Sequence, residues 1–216
     1  SGEYGGGVEN FEAFTLIQQS TFSGNNADFG GGVDNFFGTL IIEDSVLSNN
    51  TAAFSGGGIF TEDAHLEVHQ STVSGNNAND GGGIGAILST GSVINGTITQ
   101  NNGGGIAQDS TTFLIQNSIV AGQQTGPDTT GTFAQSSLNN ILGIPQGMVL
   151  TDVLDPLLMN NGGPTATHAI PQSSPAFNAG NNNFLNGQNF DQRGVGFDRI
   201  VGGRVDIGAF ENQNLN

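Results

Sequence analysis

Apolar residues recur along the first half of the chain at a long, nearly constant interval. Val8, Val33, Ile59, Ile84 and Ile106 each follow a run of three glycines that begins at Gly5, Gly30, Gly56, Gly81 and Gly103, with steps of 25, 26, 25 and 22 residues. Nine positions later come Ile17, Ile42, Val68, Val93 and Ile115, and five beyond those Phe22, Leu47, Val73, Ile98 and Val120. Thr15, Leu40, Leu66, Gly91 and Phe113 make a partial fourth column. Most of these side chains are β-branched, which suits strands, and glycine or asparagine punctuates the intervals between them. A fixed period in this range marks a solenoid, in which no coil closes its own core and each must stack on the next. The pattern predicts an all-β chain, a right-handed parallel β-helix with three short strands per coil. Coils one strand spacing apart, about 4.8 Å, make five coils a rod of roughly 24 Å.

Asn25, Asn50, Asn76, Asn101 and Gln123 recur at one turn position. Stacked amides both donate and accept, so these residues predict a hydrogen-bonded ladder along the solenoid. The glycine triplets read as tight turns needing unusual backbone angles. They are not phosphate loops, because the chain contains no lysine. Residues 124–150, interrupted by Pro127 and Pro145, read as irregular coils. This divides the chain into a solenoid over 1–150 and a C-terminal cap over 151–216, expected to protect exposed strand edges.

The charge balance narrows the choice of partners. The net charge is -16, and the three basic residues are Arg193, Arg199 and Arg204. Of the 19 acids, four (Asp191, Asp198, Asp206 and Glu211) lie in the same stretch, so residues 1–190 carry 15 acids and no Lys or Arg. A chain without a cationic footprint is not a nucleic-acid binder. No run is long and apolar enough for membrane insertion, and the absence of cysteine excludes disulfides and thiolate zinc sites. The opening at Ser1, four residues before the first repeat, reads as a processed or partial chain.

The glycine-triplet coils, with Phe22-Ser23-Gly24-Asn25 as one strict example of their turn, resemble the repeats of polymorphic outer-membrane proteins. Those are bacterial surface proteins with β-helical passengers. The second half carries Asp155-Pro156-Leu157-Leu158, Asn161-Gly162-Gly163-Pro164-Thr165-Ala166-Thr167-His168-Ala169 and Ser174-Pro175-Ala176-Phe177-Asn178-Ala179-Gly180. It continues with Asp191-Gln192-Arg193-Gly194 and Gly202-Gly203-Arg204-Val205-Asp206-Ile207-Gly208. Together these resemble the choice-of-anchor Q domain over residues 118–211. That resemblance implies an exported bacterial protein, extracellular or at the cell surface, with no assigned catalytic residues. Asn178 stands where the family commonly has Asp.

Candidate chemistry is sparse. Glu9 and Asp34 follow the first apolar column in successive coils, so they should stack outward, one strand spacing apart. With no local Lys or Arg to relieve them, they are the candidate site for Ca²⁺, which takes oxygen ligands. Phe11 over Phe36, and Phe29 near Phe54, read as packing rather than a sugar platform. The acidic pairs Glu43-Asp44 and Glu62-Asp63 are the candidates for a polysaccharide-active enzyme. Strand neighbours point to opposite faces, however, which separates the carboxylates of each pair. His65 and His69 read as solvated on an outer face. The arginines and carboxylates near the C-terminus read as ion pairs that pin the cap. The expected function is a non-enzymatic β-helix module in adhesion or surface and matrix structure. Its partners would be a second copy stacked end to end into filaments, an upstream part of a longer chain, or carbohydrate at a cell surface.

Overall fold

The computed structural model describes residues 2–110, 112–185 and 187–214. It is a parallel β-helix. Sheet I holds Val8–Phe11, Val33–Phe36, Ile59–Glu62, Ile84–Ile87, Ile106–Asp109 and Thr129–Thr130. Sheet II holds Phe14–Gln18, Thr39–Glu43, His65–His69, Thr90–Ile94 and Thr112–Gln116. Sheet III holds Thr21–Ser23, Val46–Ser48, Thr72–Ser74, Thr97–Thr99, Ile119–Val120 and Ile141–Leu142. The registry is the one the columns demand: Val8 pairs with Val33, Val33 with Ile59, Ile59 with Ile84, and Ile84 with Ile106. Two irregularities pack well together: Gly91 lies level with Phe113, whose ring occupies the space a larger side chain would need.

The structure adds a fourth, shorter sheet. Gly2–Tyr4, Asn26–Phe29 and Thr51–Ser55 form sheet IV, just before the first three glycine triplets, and isolated bridges at Asn77, Asp80 and Asn102 continue it. Each coil therefore turns at four corners, and the residue at each corner is left-handed. Between sheets I and II the corner falls on Glu12, Phe37, Asp63, Leu88 and Ser110, with φ from 47° to 55°. The first glycine of each triplet makes the corner between sheets IV and I, as at Gly30 with φ 59°. The second glycine is required for a different reason. A Cβ on Gly31 would lie 2.5 Å from the Thr51 carbonyl oxygen and 2.6 Å from that of Gly57, both backbone atoms of the next coil.

The asparagine ladder forms as expected. Each Nδ2 donates to the amide oxygen of the next level, at 3.0 Å for Asn25, Asn50 and Asn76 and 3.1 Å for Asn101 onto Gln123. The backbone N–H groups of the same residues donate to those same oxygens. A second buried ladder, Asn10 to Asn35 to Thr61, stabilises the corner between sheets I and II.

From the short helix Leu150–Val153 onward the chain is irregular and runs back along the outer side of sheet III. The sequence suggested protection of strand edges at an end; the structure lays this segment along a flank. Gln192 accepts from Thr72 Oγ1 at 2.6 Å, Thr97 Oγ1 accepts from the Ala209 N–H at 3.0 Å, and Thr165 Oγ1 donates to the Asp44 carbonyl at 3.0 Å. A second apolar core lies between flank and sheet, built from Ile119, Ala121, Ile141, Val153, Leu154, Ile170, Ile207 and Phe210. Sheet III is thus covered on both faces from its second level to its fifth, while Thr21 and Ser23 of the first level and Leu142 of the last stay exposed.

Candidate functional site

The outer faces of sheets IV and I meet across the glycine corner and form a groove along the solenoid. Glu9, Asp34, Phe60, Gly85 and Ala107 lie in one register along its floor. Phe29 stands across from them, with its ring 4.9 Å from Phe60, 5.1 Å from Phe54 and 5.8 Å from Tyr4. This aromatic cluster plugs the middle of the groove. Above the plug is a cleft of about 150 Å³ lined by Tyr4, Glu9, Phe11, Asp34 and Phe36. Below it Ser55, Asp80, Ile87, Gln108, Asp109 and Thr130 line a second hollow of about 200 Å³.

Glu9 and Asp34 stack on the outer face in adjacent levels, as expected, but their surroundings differ. Asp34 is only 1 % exposed, because the aromatic walls rise on both sides of it. Glu9 is exposed at the mouth. The Oδ1 atom of Asp34 has no hydrogen-bond partner. Burial, with Glu9 and Glu62 nearby, pushes the Asp34 carboxyl up to about 7. Calcium takes six to eight oxygens; here Glu9 and Asp34 bring carboxylate oxygens and the remaining lining is aromatic. Among the described residues no group of three or more His, Asp or Glu is arranged to hold a metal ion.

The other carboxylates fall at corners rather than within strands. Asp44 and Asp63 are left-handed, with φ of 49° and 47°, so each turns away from the Glu that ends the preceding strand. Asp44 accepts from Gln70 Nε2 at 3.1 Å and lines a cleft of about 190 Å³ with Gln19, Gln188 and Phe190. Burial raises its carboxyl to about 6. His65 and His69 share the Glu67 carboxylate, at 3.1 Å and 3.2 Å, on the outer side of sheet II. His69 is buried rather than solvated.

The flank contains a Ser–His contact that sequence reasoning missed. His168 Nδ1 lies 2.8 Å from the Asp155 carbonyl and Nε2 lies 2.9 Å from Ser74 Oγ. A carbonyl only accepts, so the proton sits on Nδ1 and Ser74 donates to Nε2. Both side chains are buried beneath the flank and reach no substrate. Burial holds His168 below its usual range, and the pair acts as a clamp. His168 lies within the stretch 161–169 that carries the resemblance, but nothing there points to Ser74, 94 residues away.

The expected arginine–carboxylate pairs are present for two of the three arginines. Arg193 meets Asp191 at 2.6 Å and lies between the rings of Phe197 and Phe210, 4.0 Å and 3.9 Å from their centres. Arg199 is wholly buried and meets Glu211 at 3.2 Å. Burial pushes Glu211 up to about 8, against the pull of Arg199 and of the N–H groups of Asp206 and Val201. Arg204 is exposed and donates to the carbonyls of Ala179 and Gly180. It rims an open hollow of about 420 Å³ lined mainly by asparagines. Asn178, oriented to satisfy its amide, donates to the carbonyls of Arg204 at 2.7 Å and Val201 at 2.9 Å. An Asp carboxylate makes neither bond.

No protein-family model, curated protein or solved structure matches the chain. No helix among the described residues is long and apolar enough to cross a membrane.

Proposed function

We propose that this protein is a non-catalytic structural module of the extracellular space or bacterial cell surface, whose β-helix continues end to end. The observation that carries this reading is the first level of the solenoid. Its core residues Val8 and Phe22 are only partly buried, whereas every core position in the next four levels is closed. Parallel strands also leave alternate N–H and C=O groups of an edge strand unused. In the first strand of sheet II, the Ala13 carbonyl and the Gln19 N–H bond to the second level. Alternation therefore turns the N–H of Leu16 the other way. An upstream level of a longer chain or a second copy would satisfy these groups, and a head-to-tail contact that does not close builds a filament. The acidic composition and the resemblance to surface-protein repeats support the setting.

Sedimentation velocity over a concentration series tests the self-stacking form. The native chain is expected to grow in size with concentration. Leu16→Pro, which removes an N–H from an edge strand without breaking the internal ladder, is expected to stay monomeric with an unchanged circular dichroism spectrum. A native chain that is monomeric throughout would overturn self-stacking.

The rival reading is a polysaccharide-active enzyme. It has its best foothold at Glu9 and Asp34, a carboxylate beside a carboxyl that titrates near neutrality. Glycoside cleavage needs two carboxyls on either side of the bond, and the burial of Asp34 leaves only Glu9 within reach of a sugar ring. Release of reducing ends or unsaturated uronates that is lost in Glu9→Gln or Asp44→Asn would favour the rival.

A further inference from the structure

We propose that the cleft of Tyr4, Glu9, Phe11, Asp34 and Phe36 binds a primary alkylammonium group, with the ammonium on Asp34 and the alkyl stem between the rings. The cleft has an apolar wall and a single buried acceptor. Phe11 and Phe36 are neighbours in one column, 5.8 Å between centroids with their rings tilted by 33°, and form one wall, with Tyr4 on the other. Asp34, 1 % exposed, lines the base with an oxygen that no protein donor meets. An unpaired acceptor in such a place costs free energy until a donor reaches it. Among the described residues no Lys or Arg side chain is near: the chain has no lysine, and its three arginines all lie beyond residue 190. The cation proposed here comes from another molecule.

The walls identify the class of cation. A hard divalent ion needs oxygens on most sides, whereas an alkylammonium is attracted to ring faces and buries its methylenes against them. A primary ammonium also carries three donors, and Asp34 has an acceptor waiting. A quaternary ammonium has none. Glu9 at the mouth adds attraction for any cation approaching from solvent.

The test uses the intact chain and n-butylammonium as probe. Tyr4 is the only tyrosine and there is no tryptophan, so intrinsic fluorescence reports on this cleft alone. Titration is expected to give a saturable change, at least tenfold tighter than with n-butanol or tetramethylammonium, and no saturation with calcium. Affinity should rise between pH 5 and pH 8 as Asp34 loses its proton; Glu9, Glu62 and the Tyr4 phenol are the other titratable groups facing it. Asp34→Asn is expected to weaken binding at least tenfold. Glu9→Gln, at the exposed mouth, should weaken it a few-fold without affecting the fold, and keeps the test decisive if Asp34→Asn does not accumulate. Nα-acetyl-lysine methylamide distinguishes a lysine side chain from a free amine as the source. Equal response to n-butanol and n-butylammonium, or undiminished binding by both variants, would overturn the proposal.

Discussion

Asp34 shows how a single residue can cost stability and still define a site. It occupies the column that holds Phe60, Gly85 and Ala107 in the levels below, positions an apolar or small side chain fills without penalty. Its folded-state carboxyl holds its proton up to about 7, against 3.8 for the ordinary group. A group raised on folding contributes stability that is fully present below the unfolded value and is lost as pH rises through the folded one. Asp34→Asn should therefore be more stable than the native chain at pH 8, by on the order of 4 kcal/mol. The difference should shrink toward zero near pH 4. Urea melts of both proteins across that range check the sign. His168 acts in the opposite direction: its value is lowered by burial, so the stability it lends is lost as pH falls below its unfolded range.

At the scale of the element, the ladders do what no single strand can. Three-residue strands such as Val46–Ser48 have little pairing of their own. The asparagine column ties their ends together from level to level. Asn76 lies inside that column: its oxygen accepts from both nitrogens of Asn50, and its Nδ2 donates to the Leu47 carbonyl and to Asn101. Asn76→Ala would leave the Asn50 N–H buried without a partner and remove the side-chain bond to the Leu47 carbonyl, which keeps its strand-ladder bond. At about 1–3 kcal/mol for the orphaned group and about 0.5–1.5 kcal/mol for the lost bond, the loss should be roughly 2–4 kcal/mol, read as a lower midpoint in denaturant. Asn25→Ala, at the half-exposed end of the same column, should cost clearly less. The ladder was legible because identical spacing and residue type repeat. The left-handed corners at Phe37 and Leu88 were not, because neither residue type announces a positive φ.

For the whole molecule, the feature that matters most is one sheet sandwiched between two cores. Sheet III has the solenoid interior on one side and the flank on the other. The flank is held from within by Arg199 and Glu211, both fully buried. Removing one member of a buried pair strands a charge, so at pH 9, above the value to which burial pushes Glu211, Arg199→Met or Glu211→Gln should each cost about 3–5 kcal/mol. The double variant should recover much of that loss. Thermal melts of the three variants form the test, and additive losses would show that the pair is not coupled.

Several features were set by the sequence alone: the period, the direction in which each aliphatic points, and the stacking of amides. Each follows from local repetition, since a strand alternates sides with period two and a coil repeats at fixed spacing. Even the flank left a trace in the sequence. Outward positions of sheet III are Val46, Ser48, Thr72, Ser74, Thr97, Thr99, Ile119 and Ala121, all uncharged, where sheet II places Glu43, His65, Glu67 and His69. Only the tertiary structure determined which of the acids would be buried. Glu9 and Asp34 occupy equivalent positions in the repeat, yet one is at the mouth of the cleft and the other at its base. That difference depends on Tyr4, Phe29 and Phe60, which belong to three different levels and meet only when the coils stack.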